Sequence, residues 1–292
     1  MTNVLAALRT MLETARPAVL VEVVEALGST PREAGASMLV AEDSTAGTIG
    51  GGALEFRAIE AAHAMLKDGR TAVELDLALG PALGQCCGGR VQLALRRADQ
   101  ATLATFQART RDEQAQRPTV LIFGAGHTGR ALVDALAPLP FRTRLIDTRP
   151  EMLGNLPVGV AASATVLPEA AVTDAPPGSA FLVMTHDHAL DFLIAEAALN
   201  RGDAAYVGLI GSKTKREQFR RMLAGKGMEA AIERLTLPIG GSAVRDKRPA
   251  VIAALTAAEL VTCLLSRQQE NLTDRLAAQG PECNSASNGQ TR

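Results

Sequence analysis

Aromatic residues are scarce in this chain of 292 residues: they make up 3% of it, with seven Phe, one Tyr and no Trp. So few rings provide no stacking platform for single-stranded nucleic acid. An excess of one charge is missing too. Lys and Arg together number 30, Asp and Glu 31, and the net charge is -1. That balance lacks the basic footprint of a sequence-independent nucleic-acid binder and gives no attraction to an anionic membrane. No apolar run approaches the roughly 20 residues needed to span a bilayer. The N-terminus, MTNVLAALRTMLETARP, mixes charge with an amphipathic pattern and shows no secretory cleavage site. Cysteine is sparse, with four in all; Cys86 and Cys87 are neighbours and Cys283 lies in a polar tail. Such a set is too small for a disulfide scaffold, so reduced thiols in a cytoplasmic protein are the simplest reading.

What the chain does have is apolar mass. Hydrophobic residues make up 47%, enough for a sizeable core and about two domains. Residues 4–15 repeat with helical spacing, 18–24 (AVLVEVV) read as a β-branched strand, and Met38-Leu39-Val40 as a second strand ending in the turn-rich EDSTAG. A strong helix is expected from Ala53 to Leu66, alternating strands at 71–79 and 90–96, and a polar helix over 98–116. The boundary falls at Arg117-Pro118, giving an N-terminal α+β domain over 1–117. After it the period changes. Val120 to Phe123 is a continuous apolar run suited to a buried parallel strand. Arg144 to Asp147, Ala180 to Met184 and Ala205 to Ile210 repeat that reading, with helices between them. This β-α-β alternation predicts a doubly wound, Rossmann-like parallel sheet over 118–270, closed by a helix near 249–266. Residues 271–292 are polar and expected to be disordered.

Five candidate sites for chemistry stand out, one of them made of two segments. Gly124-x-Gly126-x-x-Gly129 follows a strand and opens a helix through His127, and Asp147 ends the next strand where an acid can hold a ribose hydroxyl. Exposed N–H groups at the helix start suit a phosphate; the alternatives are a repurposed fold and ordinary NAD(P) chemistry. In Gly84-Gln85-Cys86-Cys87-Gly88-Gly89 the thiols sit before two glycines, which suits soft metals or sulfur transfer, or else a plain glycine hairpin. Thr30 and Arg32 flank Pro31, and Thr48 to Gly52 places Gly51 and Gly52 at a helix start; both segments suit an anion or are simple turns. His186-Asp187-His188 follows a strand, as either a ligand loop or a helix cap. Ser212 and Lys213 open a basic helix, as an anion clamp or an ordinary cap.

With these motifs in this order, the chain resembles the XdhC/CoxI family, in particular its XdhC branch associated with xanthine dehydrogenase. The resemblance runs from about Val19 to Leu265. It rests on Gly28-Ser29-Thr30-Pro31-Arg32, Gly35-Ala36-Ser37-Met38, Thr48-Ile49-Gly50-Gly51-Gly52 with Leu54-Glu55, GPALGQCCGGRV, GAGHTGRAL, Asp147-Thr148-Arg149, Met184 to His188, GLIGSKTKREQF, and Lys247-x-Pro249-Ala250-Val251-Ile252-Ala253. The stretch Ser242 to Asp246 departs from the pattern expected before the last helix. The resemblance implies a non-catalytic maturation factor that binds molybdenum cofactor, with the mononucleotide form favoured. It holds the cofactor for sulfuration and passes it to apo-xanthine dehydrogenase, in purine metabolism. A cysteine desulfurase and the enzymes of cofactor synthesis are further implied partners. Cys87, more than Cys86, is implied to face the metal.

Two rival classes remain from sequence: an NAD(P)-dependent oxidoreductase, suggested by Gly124 to Gly129 with Asp147, and an assembly scaffold that binds no cofactor. Long alternating strands usually have their edges covered, and closed homodimers are the commonest oligomers, so a homodimer is expected.

Overall fold

The computed structural model describes residues 2–80, 88–241 and 243–266. The chain divides into two compact units, with the division between Gln116 and Arg117. Cys86, Cys87 and the tail from residue 271, all singled out in the sequence, lie outside the described residues.

The N-terminal unit is an antiparallel sheet with helices on both faces. It contains α1 (Thr2–Glu13), β1 (Ala18–Leu27), β2 (Ser37–Ala41), β3 (Thr45–Gly47), α2 (Gly52–Asp68), β4 (Ala72–Ala78), β5 (Arg90–Arg97) and α3 (Gln100–Gln116). The strand order is β3-β2-β1-β5-β4, and every pair is antiparallel. Alternation along β1 divides its side chains between two cores. Val19, Val21 and Val23 pack with Leu54, Ala58, Ala62 and Met65 of α2. Ala18 and Leu20 pack with Val4 and Leu8 of α1 and with Leu103 and Phe106 of α3. Fully burying each large aliphatic side chain contributes roughly 2 kcal/mol. The strand β3 lies in a segment whose sequence reads as a turn. Its three residues, Thr-Ala-Gly, carry little strand propensity and extend only by pairing with Met38 to Val40.

The C-terminal unit is a six-stranded, wholly parallel sheet in the order β11-β10-β9-β6-β7-β8. Its strands are β6 (Thr119–Phe123), β7 (Arg142–Asp147), β8 (Ala161–Ala164), β9 (Ala180–Val183), β10 (Tyr206–Leu209) and β11 (Leu235–Thr236). Its α-helices are α4 (His127–Leu136), α5 (Ala170–Thr173), α6 (His188–Asn200), α7 (Lys213–Gly225) and α8 (Pro249–Leu260), the last continuing as a π-helical turn over Val261–Leu265. Val120 and Ile122 face Leu132 and Val133 of α4 and Ala253 and Ala257 of α8. Leu121 and Phe123 face Ile194 of α6 and Phe219 of α7 on the other side. This is the doubly wound Rossmann arrangement expected from the apolar runs. The edge strands β8 (Ala-Ala-Ser-Ala) and β11 (Leu-Thr) carried no strand signal; each extends by pairing with the more apolar strand beside it. No helix among the described residues is long and apolar enough to cross a membrane.

The chain departs from β6 in one direction and returns through β9 in the other. The strand order therefore reverses between them, and loops at their carboxyl ends form a crevice. Two buried charges tie these loops. Asp191 of α6 is 0% exposed and Lys215 of α7 is 7% exposed. The Asp191 carboxylate accepts the Thr185 N–H at 2.8 Å, the Thr185 hydroxyl at 2.8 Å and Lys215 Nζ at 2.5 Å. Lys215 Nζ also donates to the Ile210 carbonyl at 3.0 Å. One ion pair thus anchors the loop after β9 to the loop after β10.

Lys215→Met removes the cation and leaves Asp191 charged among apolar neighbours, so the unfolding free energy in urea should fall by about 3 kcal/mol. The double variant Asp191→Asn/Lys215→Met should lose less than the sum of its parts. A single variant as stable as the unmodified protein would show that the pair does not support the rim.

Candidate functional site

In the C-terminal unit, the glycine loop joins β6 to α4, and its three glycines serve different ends. Gly124 has φ +112°, and a Cβ there would meet the Met184 carbonyl oxygen at 2.3 Å. A Cβ on Gly129 would meet the Gly124 carbonyl oxygen at 1.9 Å. Both are therefore required by packing between loop, helix and neighbouring strand. Gly126 differs. Its φ is -70°, open to any residue, and nothing lies within 4 Å of a Cβ built there. Gly126 also begins α4 without a side-chain cap, and the first turn of that helix has no acidic residue. The positive end of α4 is thus uncapped at a point where backbone is directly approachable. His127, at the same start, is exposed.

Asp147, at the end of β7, is only 4% exposed. Its Oδ2 accepts the Ala125 N–H at 2.7 Å and Arg149 Nη2 at 3.0 Å; its Oδ1 accepts the Arg149 N–H at 3.0 Å and Nε at 2.9 Å. Burial raises the affinity of this carboxyl for a proton. The bonds from the Arg149 guanidinium and from the Ala125 and Arg149 amides outweigh it and hold the pKa below the usual carboxylate range. The residue read in the sequence as a ribose acceptor is fully engaged inside the protein, where it ties the glycine loop to β7.

Gly124, Asp147, Thr185 and His186 line one narrow cleft of about 10 Å³ at the carboxyl ends of β6, β7 and β9. Asp187 caps α6, its carboxylate accepting the Ala189 N–H at 2.7 Å. His186 and His188 on either side are exposed. Ser212 caps α7 by accepting the Lys215 N–H at 3.3 Å, and Lys213 beside it is exposed. Sequence reading of these loops missed Asp191 and Lys215, the residues that fix them. A signal existed. Asp191 shares a helical stripe with Ile194, Ala195 and Ala198, and Lys215 one with Phe219 and Leu223. Two opposite charges on buried stripes have to find one another.

In the N-terminal unit three motif loops converge at one end of the sheet. A Cβ on Gly50 would meet Pro31 Cγ at 2.6 Å, and one on Gly89 would meet the Ser29 carbonyl oxygen at 2.4 Å. The Thr30–Arg32 loop is therefore held between the glycine turn before α2 and the Gly88-Gly89 pair, and Gly88 directly follows Cys87 in the chain. Gly51 and Gly52 open α2, but the anion there is the chain's own. Glu55 accepts the Thr48 hydroxyl and the Ile49 N–H, the latter at 3.0 Å. Burial pushes Glu55 up, while Thr48 and the Gly51, Ile49 and Gly50 amides hold it below its ordinary pKa. Arg32 is exposed and lines a cavity of about 600 Å³ together with Pro31, Ser37, Thr48 and Glu113. Among the described residues no cluster of three His, Cys, Asp or Glu side chains is placed to hold a metal ion.

The sequence model of the XdhC and CoxI family matches residues 11–76, and that of the XdhC Rossmann domain matches residues 120–260. The chain is 29% identical over 258 residues to YqeB of Escherichia coli (strain K12), described as uncharacterized, covering 84% of this chain and 43% of that protein. It therefore spans less than half of that relative. A crystal structure from Bacillus halodurans, described as a xanthine dehydrogenase, superposes with a TM-score of 0.73 at 20% identity, over 91% of this chain and 97% of the other. At that identity the likeness shows the fold.

Asp147→Asn removes the charge that Ala125 and Arg149 share. Because the folded pKa of Asp147 is lowered, its contribution to stability is present above the unfolded value near 3.8 and is lost as pH falls through the folded value. The variant should be less stable than the unmodified protein by about 2 kcal/mol at pH 7. Denaturation curves of the two should converge below pH 3.8. A gap independent of pH would assign the loss to packing rather than to the carboxylate.

Proposed function

The chain belongs to the XdhC and CoxI family, and we propose that it is a maturation factor that binds molybdenum cofactor, holds it for sulfuration and passes it to apo-xanthine dehydrogenase. The observation that carries this reading is the start of α4. Gly126 is demanded neither by its backbone conformation nor by packing, yet it leaves open backbone at an uncapped helix terminus. A phosphate is the ligand chemistry that such a terminus favours, and molybdenum cofactor carries one beside its pterin and dithiolene. The Gly126, His127 and Thr128 segment would hold that phosphate, with His186 lining the neighbouring cleft. Asp187 and Ser212 act as caps, Asp187 positioning His186 and His188 beside that cleft, while Lys213 lines a different cavity.

The cofactor is cargo here: its molybdenum serves the hydroxylase, and this chain's residues bind it and orient it. Sulfuration needs a sulfur donor, for which a cysteine desulfurase is the fitting partner, with the cofactor-synthesis enzymes upstream. Cys87 is assigned the metal end by the family resemblance, in a homodimeric cytoplasmic protein. The dehydrogenase reading is disfavoured by Asp147, whose oxygens already accept four N–H bonds and leave no place for a ribose diol. A scaffold without a ligand gives no reason for the open backbone at Gly126.

Gly126→Val keeps an allowed backbone and projects a side chain into the space of the phosphate. Pterin and molybdenum retained by the purified protein should fall about tenfold, with the thermal transition unmoved. A folded variant with unchanged cofactor content would leave the loop a structural role only. Cys87→Ser should impair cofactor retention or activation of apo-xanthine dehydrogenase without loss of stability; equality with the unmodified protein in both assays would remove the thiol from the mechanism.

A further inference from the structure

A separate cavity opens beyond the carboxyl ends of β10 and β11. It encloses about 520 Å³. Ile210, Pro238, Ile252 and Leu255 give it apolar walls, and Lys213, Arg245 and Lys247 line it as cations. None of these three has a hydrogen-bonding or ion-pair partner among the described residues. The acid on the lining, Asp246, is already engaged: its carboxylate accepts the Arg248 N–H at 2.9 Å and Nε at 2.9 Å, and also Nη2 at 2.5 Å. Glu259 sits behind the Gly240-Gly241 turn, accepting the Gly240 N–H at 3.1 Å and the Tyr206 hydroxyl at 2.7 Å. Both glycines have φ near +70°, so the turn bends along the cavity with no side chain in the way.

Three cations line the cavity, while the nearby carboxylates are engaged, Asp246 by Arg248 and Glu259 by the Gly240 N–H and the Tyr206 hydroxyl, so the lining carries an excess of positive charge. Guanidinium and ammonium groups together suit an anion with several oxygens, and phosphate is the common one. The apolar walls suit a carbon body attached to it. Between this cavity and the start of α4 lie β9 and its neighbours in the sheet order, a separation of about 10–14 Å at the usual strand spacing. A single phosphate cannot serve both places.

We propose that this cavity binds a phosphomonoester carried on an apolar body, at a site separate from the α4 terminus. Arg245, within the stretch that departs from the family pattern, then belongs to a binding site of its own. The site exists whether or not the α4 terminus takes molybdenum cofactor.

The test is calorimetric titration of the full chain with phenyl phosphate and with inorganic phosphate. It uses the unmodified protein, the double variant Arg245→Ala/Lys247→Ala and Gly126→Val. Phenyl phosphate should bind saturably and about tenfold more tightly than inorganic phosphate, because the ring is removed from water. The double variant should weaken it about tenfold or more, since two charged contacts are lost; both side chains are exposed, so circular dichroism should be unchanged. Gly126→Val should keep the binding that the double variant loses. In the unmodified protein, phenyl phosphate should also protect Lys213 and Lys247 from acetylation. Absence of saturable binding, or binding unaffected by the double variant, would overturn the proposal. Binding lost only in Gly126→Val would move the probe to the α4 terminus, and equal affinity for the two probes would remove the apolar part.

Discussion

A carboxylate buried beneath a lysine fixes the working edge of the parallel sheet. An isolated charge at the position of Asp191 would cost several kcal/mol in lost hydration, and the fold offsets this by bringing it Lys215, the Thr185 amide and the Thr185 hydroxyl. Those donors belong to elements far apart in the chain. If the loop after β9 moves away, Asp191 loses two of its three bonds; if α7 shifts, it loses the cation. The constraint reaches further through the lysine stem. A Cβ on Gly211 would meet Lys215 Cδ at 2.6 Å, so the loop after β10 has to be backbone alone where it passes over that chain. The loops bearing His186, His188, Ser212 and Lys213 are thereby set in place before any ligand arrives, which keeps the ordering cost out of binding.

Internal acceptors complete the pattern. Glu55 satisfies the turn before α2, Asp187 caps α6, and Ser212 caps α7. The start of α4 has no such partner. The helices α6 and α7 supply their own acceptor; the start of α4 supplies none, and α8, which begins at Pro249, has no side-chain cap either. The same distinction sorts the glycines. Gly50, Gly89, Gly124 and Gly129 are each explained by a backbone or side-chain atom that a Cβ would strike, while Gly126 faces open space.

The fold was largely legible in the sequence because burial dictated it. The apolar run of β6, the alternation in β4 and β5 and the helix after Gly126 follow from periodicity alone. The short edge strands β3, β8 and β11 were not legible, since Thr-Ala-Gly, Ala-Ala-Ser-Ala and Leu-Thr have no intrinsic strand preference and extend only by pairing with a neighbour. In the site, motif loops were readable as loops, but the partners within them were not. Nothing local says that Glu55 turns back onto Thr48 and Ile49, or that Arg149 closes over Asp147. Asp191 and Lys215 announced themselves only as charges on buried stripes, and their meeting is a matter of topology, because α6 and α7 lie on the same face of the sheet.

The closure of Arg149 over Asp147 has a consequence for the shape of any ligand. In a dinucleotide site of this fold, the ligand extends from the helix terminus across the strand that carries the ribose-binding acid. Here that direction is blocked: the acid is 4% exposed, its oxygens are spent on Ala125 and Arg149, and the guanidinium covers it. Ala125 N–H is also drawn toward β7, which leaves the amides after Gly126 as those free to meet a phosphate. The cleft between Asp147 and His186 holds only about 10 Å³, so it adds no room on that side. A ligand with adenosine laid over β7 does not fit this geometry. The glycine fingerprint by itself suggests such a ligand; the four hydrogen bonds to a single carboxylate argue against it.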